Sequence, residues 1–391
     1  MKSTINAPEH HGSDQPAADA SLPPHARLLL LLAESAPDTA CRARARALMT
    51  QDDLDWGAFL HEAGRHRLLP LLGRHVDRFG WERAGADGAA IPEPWLFTNS
   101  LVGNRIRNQT LSDEFGRVLR ELATDGVPHA VRRGFALVNS VYHDIGIRLI
   151  GDLDLFLNPA DIPRAQRVLE RLGYTREAPP GPQVPANSGE SGESGEQSGP
   201  SAEHLQMTFL KPGVRPSTAE FHIDVYHQVF EERTGLSLPA TTLLSRLDPA
   251  FVCGTETSVL GRADGLLDLC ALLHEKATAP RRTGAPLALP LSKFLDVALV
   301  AESFTADAWQ EFTDRVREVG AGHIAHHALH FTSVLYPSAV PAEVLRTLRP
   351  DDLDHLEEYT SIEGRQRRWT VAFPARLFIP DSGPHSGDAA P

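Results

Sequence analysis

Apolar positions recur at helical spacing through the first third of the chain. Residues 1–22 are polar, rich in His, Pro, Ala and Asp, and carry nothing periodic to bury, so they read as a disordered tail. Leu28 to Ala33 and Ala40 to Met49 then read as helices. Trp56, Phe59, Leu60, Ala63, Leu68, Leu71 and Leu72 continue the spacing behind an Asp-rich start suited to capping. Phe97 to Ala123 predicts a long helix carrying Leu101, Ile106, Leu111, Phe115, Val118, Leu119 and Leu122. Residues 23–124 therefore form a helical N-terminal region.

Beyond Asp125-Gly126 the period changes. Val127 to Val131 reads as a short strand, Gly134 as a tight turn and Phe135 to Tyr142 as a helix. Arg148 to Pro159 spells Arg-Leu-Ile-Gly-Asp-Leu-Asp-Leu-Phe-Leu-Asn-Pro. As a strand it puts Asp152 and Asp154 on one face and Leu153, Leu155 and Leu157 on the other. Pro163 to Leu172 is a helix stopped by Gly173. Repeated Ser-Gly-Glu marks a disordered insertion over residues 178–203. Strand patterning resumes at His204 to Leu210 and Ala219 to Phe230. The second of these places Glu220, His222, Asp224 and Tyr226 on one face, with Phe221, Ile223 and Val225 on the other. Residues 125–232 thus make one α/β core. Residues 233–380 form a helical C-terminal region with helices at Leu266 to Lys276, Lys293 to Glu302, Ala308 to Val319 and His323 to Leu335. A loose polar tail, 381–391, ends the sequence.

Two carboxylates side by side on an apolar strand repel each other, and cost free energy unless a cation or hydrogen bonds compensate. A divalent cation does so most simply. Carboxylate donors suit Mg2+, or Mn2+, which takes further ligands from substrate phosphates. Asp224, on a neighbouring strand, supplies a third acid. The competing reading is a solvated strand face, for Asp224 above all.

Composition narrows the partners. The 391 residues carry a net charge of −13, which argues against general DNA binding, since such a surface is basic. Hydrophobic residues at 41% and charged residues at 23% are ordinary for a soluble globular protein. Cys41, Cys253 and Cys270 stand far apart with no Cys-x-x-Cys pair, the pattern of reduced thiols in a cytoplasmic protein. Leu28 to Ala33 is too short to span a bilayer, so no membrane association is expected. His323, His326, His327 and His330 share helical spacing but have alanines between them and no nearby acid or cysteine, so they read as a helix face rather than a zinc site. His274-Glu275 lacks the second histidine of a metalloprotease helix, Thr278 standing in its place. Arg365, Arg367, Arg368 and Trp369 read as a solvated segment.

The order of motifs resembles a bacterial nucleotidyltransferase-like family of the polymerase-beta-like superfamily. Arg133-Gly134-Phe135-Ala136 stands at its turn, Arg148 precedes Asp152-Leu153-Asp154, Leu169 through Gly173-Tyr174 closes the next helix, and Ile223-Asp224-Val225-Tyr226-His227 forms the later strand. Flanking matches run from Arg65-His66-Arg67-Leu68-Leu69-Pro70 to Lys293-Phe294-Leu295-Asp296, so the likeness covers roughly Leu28 to Ala301. The resemblance implies an α+β fold: a small mixed-sheet nucleotidyltransferase core with helices on one side, between helical N-terminal and C-terminal regions. It implies that Asp152 and Asp154 hold Mg2+ (or Mn2+) carrying a nucleoside triphosphate, and that Asp224 completes the site on the side of the acceptor. It implies nucleotide-binding roles for Arg133, Gly134 and Arg148, the glycine by close backbone approach to phosphates and the arginines by balancing charge. The acceptor is a small molecule, peptide, protein or RNA. The chain departs from the family pattern at Arg133, where the family has lysine, and at Tyr226, where it has histidine. Phe135 stands where better-understood nucleotidyltransferases carry serine. These departures keep a second reading open, a catalytically weak nucleotidyltransferase fold serving as an accessory or binding module.

Overall fold

A computed structural model describes residues 22–83, 88–177, 206–216, 218–278, 289–360 and 365–378. The tail expected over 1–22 (Leu22 apart), the insertion over 178–203 and the tail over 381–391 lie outside the described residues.

In chain order the helices and strands are α1 (Pro24–Leu32), α2 (Thr39–Met49), α3 (Trp56–Arg65), α4 (Leu69–Phe79) and α5 (Pro94–Thr124), then β1 (Ala130–Arg132), α6 (Gly134–Leu137), β2 (Asp152–Phe156) and α7 (Ile162–Arg171). There follow β3 (Thr175–Arg176), β4 (Gln206–Arg215), β5 (Thr218–Tyr226), α8 (Ala240–Leu244), β6 (Leu247–Val252), β7 (Thr255–Leu260) and α9 (Arg262–Thr278). The last are α10 (Leu291–Glu302), α11 (Ala306–Val319), α12 (Gly322–Leu335), α13 (Ala342–Leu348), β8 (Glu358–Thr360) and β9 (Gln366–Arg368). The chain divides into two units.

The first unit comprises Met1–Leu101, Lys276–Glu302 and His326–Pro391. Two of its helices begin where a side chain satisfies a free backbone donor. Asp38 accepts from Cys41 N at 2.6 Å ahead of α2, and Asp55 from Ala58 N at 2.8 Å ahead of α3. Gly80, at φ +66°, ends α4 in the left-handed conformation that glycine adopts without a Cβ penalty. A Cβ on Gly73 would lie 2.2 Å from the Phe97 carbonyl oxygen, so α4 rests directly on the backbone at the start of α5.

The second unit comprises Val102–Glu275 and Ser303–Ala325 and holds a seven-stranded mixed sheet, order β3-β4-β5-β2-β1-β7-β6. β2 runs parallel to β5 and β1 parallel to β7; the other pairs are antiparallel. Alternation decides what each face does. Val131, Leu153, Leu155, Phe209, Phe221, Ile223 and Val225 turn to one side and pack with Leu111, Phe115 and Val118 of α5 and Ala165, Val168 and Leu169 of α7. The architecture is therefore α+β, with the apolar face of the sheet under two helices and the acidic residues on the opposite face.

Two features depart from the sequence pattern. The predicted helix from Phe135 continues past α6 as a π-turn, Val138–Tyr142. The segment read as helical from 233 also holds the β6–β7 hairpin, which widens the sheet by two strands. Pro249 lies in β6, an edge strand, where a missing N–H leaves no ladder partner wanting. The turn is Cys253-Gly254, with both residues at positive φ, +51° and +71°, the geometry that two-residue hairpin turns favour.

Candidate functional site

Register, more than any single residue, builds the site. In β2 and β5, Asp152 pairs with His222 and Asp154 with Asp224. β1 brings Arg132 opposite Asp154. Directly paired residues share a face, so Asp152, Asp154, Asp224, His222 and Arg132 stand together on the side away from α5 and α7. Carboxylate oxygens of Asp152, Asp154 and Asp224 all lie within 4.8 Å of one another. Asp154 and Asp224 are each only 8% exposed, while Asp152 is half-buried and reachable.

Hydrogen bonding and charge make the three acids unequal. Thr208, paired with Asp224 across β4 and β5, donates its hydroxyl to Asp224 Oδ1 at 2.7 Å. Burial pushes the Asp224 carboxyl above its ordinary range and Asp154 adds to the push, while hydrogen bonds from Thr208 and Gln206 and the nearby His222 oppose it. His222 Nε2 lies 3.0 Å from Glu220 Oε2, both partly exposed at the edge of the cluster. Burial with insufficient compensation is the condition under which a carboxylate group takes up a cation. The donor set, three carboxylates with convergent oxygens, fits a hard divalent ion such as Mg2+ or Mn2+.

Beside the acids stands a second charged group. Asp268, on α9 and 1% exposed, accepts from Arg133 Nε at 2.9 Å and Arg133 Nη2 at 2.8 Å, and from Arg132 Nε at 3.1 Å; Arg132 Nη2 also pairs with it. Burial works to raise the Asp268 pKa, yet the two guanidinium groups hold it below the usual carboxylate range. Burial likewise works against the Arg133 charge, and Asp268 and Asp154 together more than reverse that. The Tyr226 ring covers both arginines, with Arg132 Cζ 4.3 Å and Arg133 Cζ 5.6 Å from its centroid.

The turn between β1 and α6 is strained. Arg133 sits at φ +54° and ψ −140°, a region that costs a side-chain-bearing residue about 1–3 kcal/mol. Its twin hydrogen bonds to Asp268 hold it there. Gly134 follows at φ +21°; a Cβ there would meet Asp152 O and Ile150 Cγ2 at 3.7 Å, ordinary contact distance. Dihedral freedom rather than crowding is thus what this glycine supplies. Arg148 is buried, and its carbonyl accepts from Asn104 and Asn108.

The three acids, Arg133, Gly134 and Arg148 stand out in the sequence. Arg132, Asp268, Thr208 and the two asparagines of α5 do not stand out there. Asp268 does carry a signal: it interrupts Leu266-Leu267 and Leu269-Cys270, and an acid in an apolar helix calls for a buried cation. Asn104 and Asn108 extend the face of Leu111 and Phe115 by helical spacing, which marks them as buried polar groups. Thr208 is an ordinary strand residue with no such mark.

No curated protein matches this chain. The sequence matches, over residues 52–337, the family described as uncharacterised nucleotidyltransferase. That span takes in α3 to α5, the whole sheet with its acidic face, and α9 to α12 up to the end of the histidine-bearing helix. The chain belongs to the uncharacterised nucleotidyltransferase family.

Proposed function

We propose that the protein is a metal-dependent nucleotidyltransferase that moves a nucleoside monophosphate from a nucleoside triphosphate to an acceptor. The observation that carries this reading is the convergence of Asp152, Asp154 and Asp224 from two parallel strands, with oxygens within 4.8 Å. Asp152 and Asp154 would hold Mg2+ or Mn2+ for the triphosphate, and Asp224 would complete the donor set. A divalent ion bound there supplies neutralisation of phosphate charge and makes an acceptor hydroxyl easier to deprotonate. The acceptor hydroxyl gives its proton to solvent, its oxygen forms a bond to the α-phosphorus, the bond from that phosphorus to the bridging oxygen breaks, and pyrophosphate leaves.

The protein's own residues prepare that exchange. Thr208 fixes one oxygen of Asp224. Gly134 lets the turn backbone approach phosphates, and Arg148 and Arg133 balance charge, Arg133 being held by Asp268 and drawn by the charge of Asp154 as well. The acceptor is a small molecule, peptide, protein or RNA. No helix among the described residues is long and apolar enough to cross a membrane. The three cysteines are free and buried, which supports a cytoplasmic setting.

One observation favours the second reading, an accessory module of the same fold: Asp268 occupies both guanidinium groups beside the acids. Incubation with each labelled nucleoside triphosphate and Mg2+, alone and with cell extract, separates the two. Transfer of label that disappears in Asp152→Asn/Asp154→Asn supports the enzyme. Absence of both transfer and metal-dependent nucleotide binding in the wild type overturns it in favour of the module.

A further inference from the structure

Three side chains of α5 grip the loop that leads into β2. Asn104 Nδ2 donates to the carbonyls of Gly146 at 2.6 Å and Arg148 at 3.0 Å. Asn108 Nδ2 donates to those of Ile145 at 2.7 Å and Arg148 at 2.8 Å, and Arg107 Nη1 donates to that of Ile150. Carbonyls over 145–150 that no strand partner meets are thereby satisfied, and the chain enters Asp152 in a set position.

A carboxamide would have served for the last of these bonds. A guanidinium carries five N–H donors in a fixed fork, and among the described residues the side chain of Arg107 makes one hydrogen bond, to Ile150. Arg107 is half-buried, so keeping its charge there has a cost, and the nearby charge that offsets it is Asp152. Among the described residues no ion pair engages it, whereas Arg132 and Arg133 each direct Nε and Nη2 to Asp268, and Arg132, whose Nη1 has no hydrogen-bond partner among the described residues, lies buried beneath Tyr226. A cation with unused, forked donors, tied to the carbonyl two residues before Asp152 and within reach of that carboxylate's field, is matched in charge and shape by phosphate oxygens.

We infer that Arg107 is a substrate-binding residue, its guanidinium contacting the anionic phosphate oxygens of the triphosphate held at Asp152, Asp154 and Asp224. This rests on the nucleotidyltransferase reading and deepens it. Arg107 ties the two tasks together: one donor sets the loop before Asp152, and the rest of the fork is left for the ligand.

The test uses the full chain and three measurements: calorimetric binding of each nucleoside triphosphate with Mg2+, binding of Mn2+ alone by electron paramagnetic resonance, and the urea unfolding midpoint. Arg107→Ala is compared with Arg107→Gln, which retains a donor for Ile150. Both variants are expected to lose about tenfold or more in triphosphate affinity, the scale of a charge-assisted hydrogen bond. Mn2+ affinity and, for Arg107→Gln, the unfolding midpoint are expected to stay at wild-type values. Inorganic tripolyphosphate is expected to displace the nucleotide from the wild type and to bind the variants more weakly. If Arg107→Gln binds triphosphate as tightly as the wild type, the inference is overturned while the nucleotidyltransferase reading stands. A parallel loss of Mn2+ binding overturns it too, by assigning Arg107 to the loop alone. If the wild type binds no triphosphate, the broader reading fails and takes the inference with it.

Discussion

Asp268 meets two guanidinium groups in a place that water does not reach. A buried acid with two buried cations is balanced only while all three are present, because removing one leaves an uncompensated ion in a poorly polarisable interior. Asp268→Ala is therefore expected to destabilise the protein by about 3–5 kcal/mol, read as a fall in the urea midpoint. A loss confined to substrate binding, with unchanged stability, would show that Arg132 and Arg133 find other partners. Thr208 works on a smaller scale. Its hydroxyl makes one of the hydrogen bonds that orient Asp224, and Thr208→Val keeps the shape while deleting the donor. Divalent-ion binding is expected to weaken by about 1–2 kcal/mol in Thr208→Val and to recover in Thr208→Ser, as followed with Mn2+. Equal losses in both variants would place the effect in packing instead. At this scale the sequence made Asp152, Asp154 and Asp224 legible as acids on strand faces, since alternation is local. It hid Thr208, because nothing in a threonine's own neighbourhood states which residue will lie across the ladder.

Elements carry the site by packing through their small residues. Gly116 of α5 rests against the β6–β7 turn: a Cβ there would lie 2.1 Å from the Cys253 carbonyl oxygen, and a backbone atom cannot swing aside. Gly103 of the same helix faces open space, with nothing within 4 Å of where its Cβ would lie. Gly116→Ala is expected to lower stability by about 1–3 kcal/mol through overpacking, and Gly103→Ala to raise it by up to about 1 kcal/mol through helix propensity. Thermal unfolding of the two variants checks the pair, and a rise for both would mean that α5 and the hairpin separate easily. β2, β5 and α7 were legible because their apolar positions follow one period without interruption. β6 and β7 were not, because Pro249 breaks the first and Thr255, Glu256, Thr257 and Ser258 fill the second with polar groups. β7 takes its place from pairing with β1, and β6 from pairing with β7, rather than from a buried stripe of their own.

For the molecule as a whole, pH reads out the buried histidines. Burial lowers His75 from 6.5 to about 4, and Arg74 adds to this against hydrogen bonds to backbone carbonyls that include Glu34. Burial likewise lowers His326 to about 4, helped by His330, His355 and Arg349. A group whose folded pKa is depressed takes its proton first in the unfolded chain, so both histidines withdraw stability as pH falls from 6.5 toward 4. Glu62 adds a second loss at lower pH. Burial would raise it, but His66 and Arg65 hold it at about 2, so its contribution, present above 4.5, disappears as pH falls through 2. Asp264 acts in the opposite sense. Burial raises it to about 6 although Arg246 opposes, so its folded form binds the proton first and gains as pH falls from 6 to 3.8. Urea midpoints are expected to fall between pH 6.5 and 4, and His75→Phe to flatten that slope. A midpoint independent of pH across this window would contradict the histidine assignment.

By itself the sequence determined the strand faces, the long helices and which acids share a face, because side-chain period and helix capping act over a few residues. It also carried the order of motifs that places the chain in its family. Only the tertiary structure decided that β2 lies between β1 and β5, that Asp154 faces Asp224 in register, and that one acid on α9 takes both arginines of the turn. Those outcomes depend on residues separated by dozens of positions. Burial and hydrogen bonding, which give each carboxylate its separate character, exist only after the chain has closed around them.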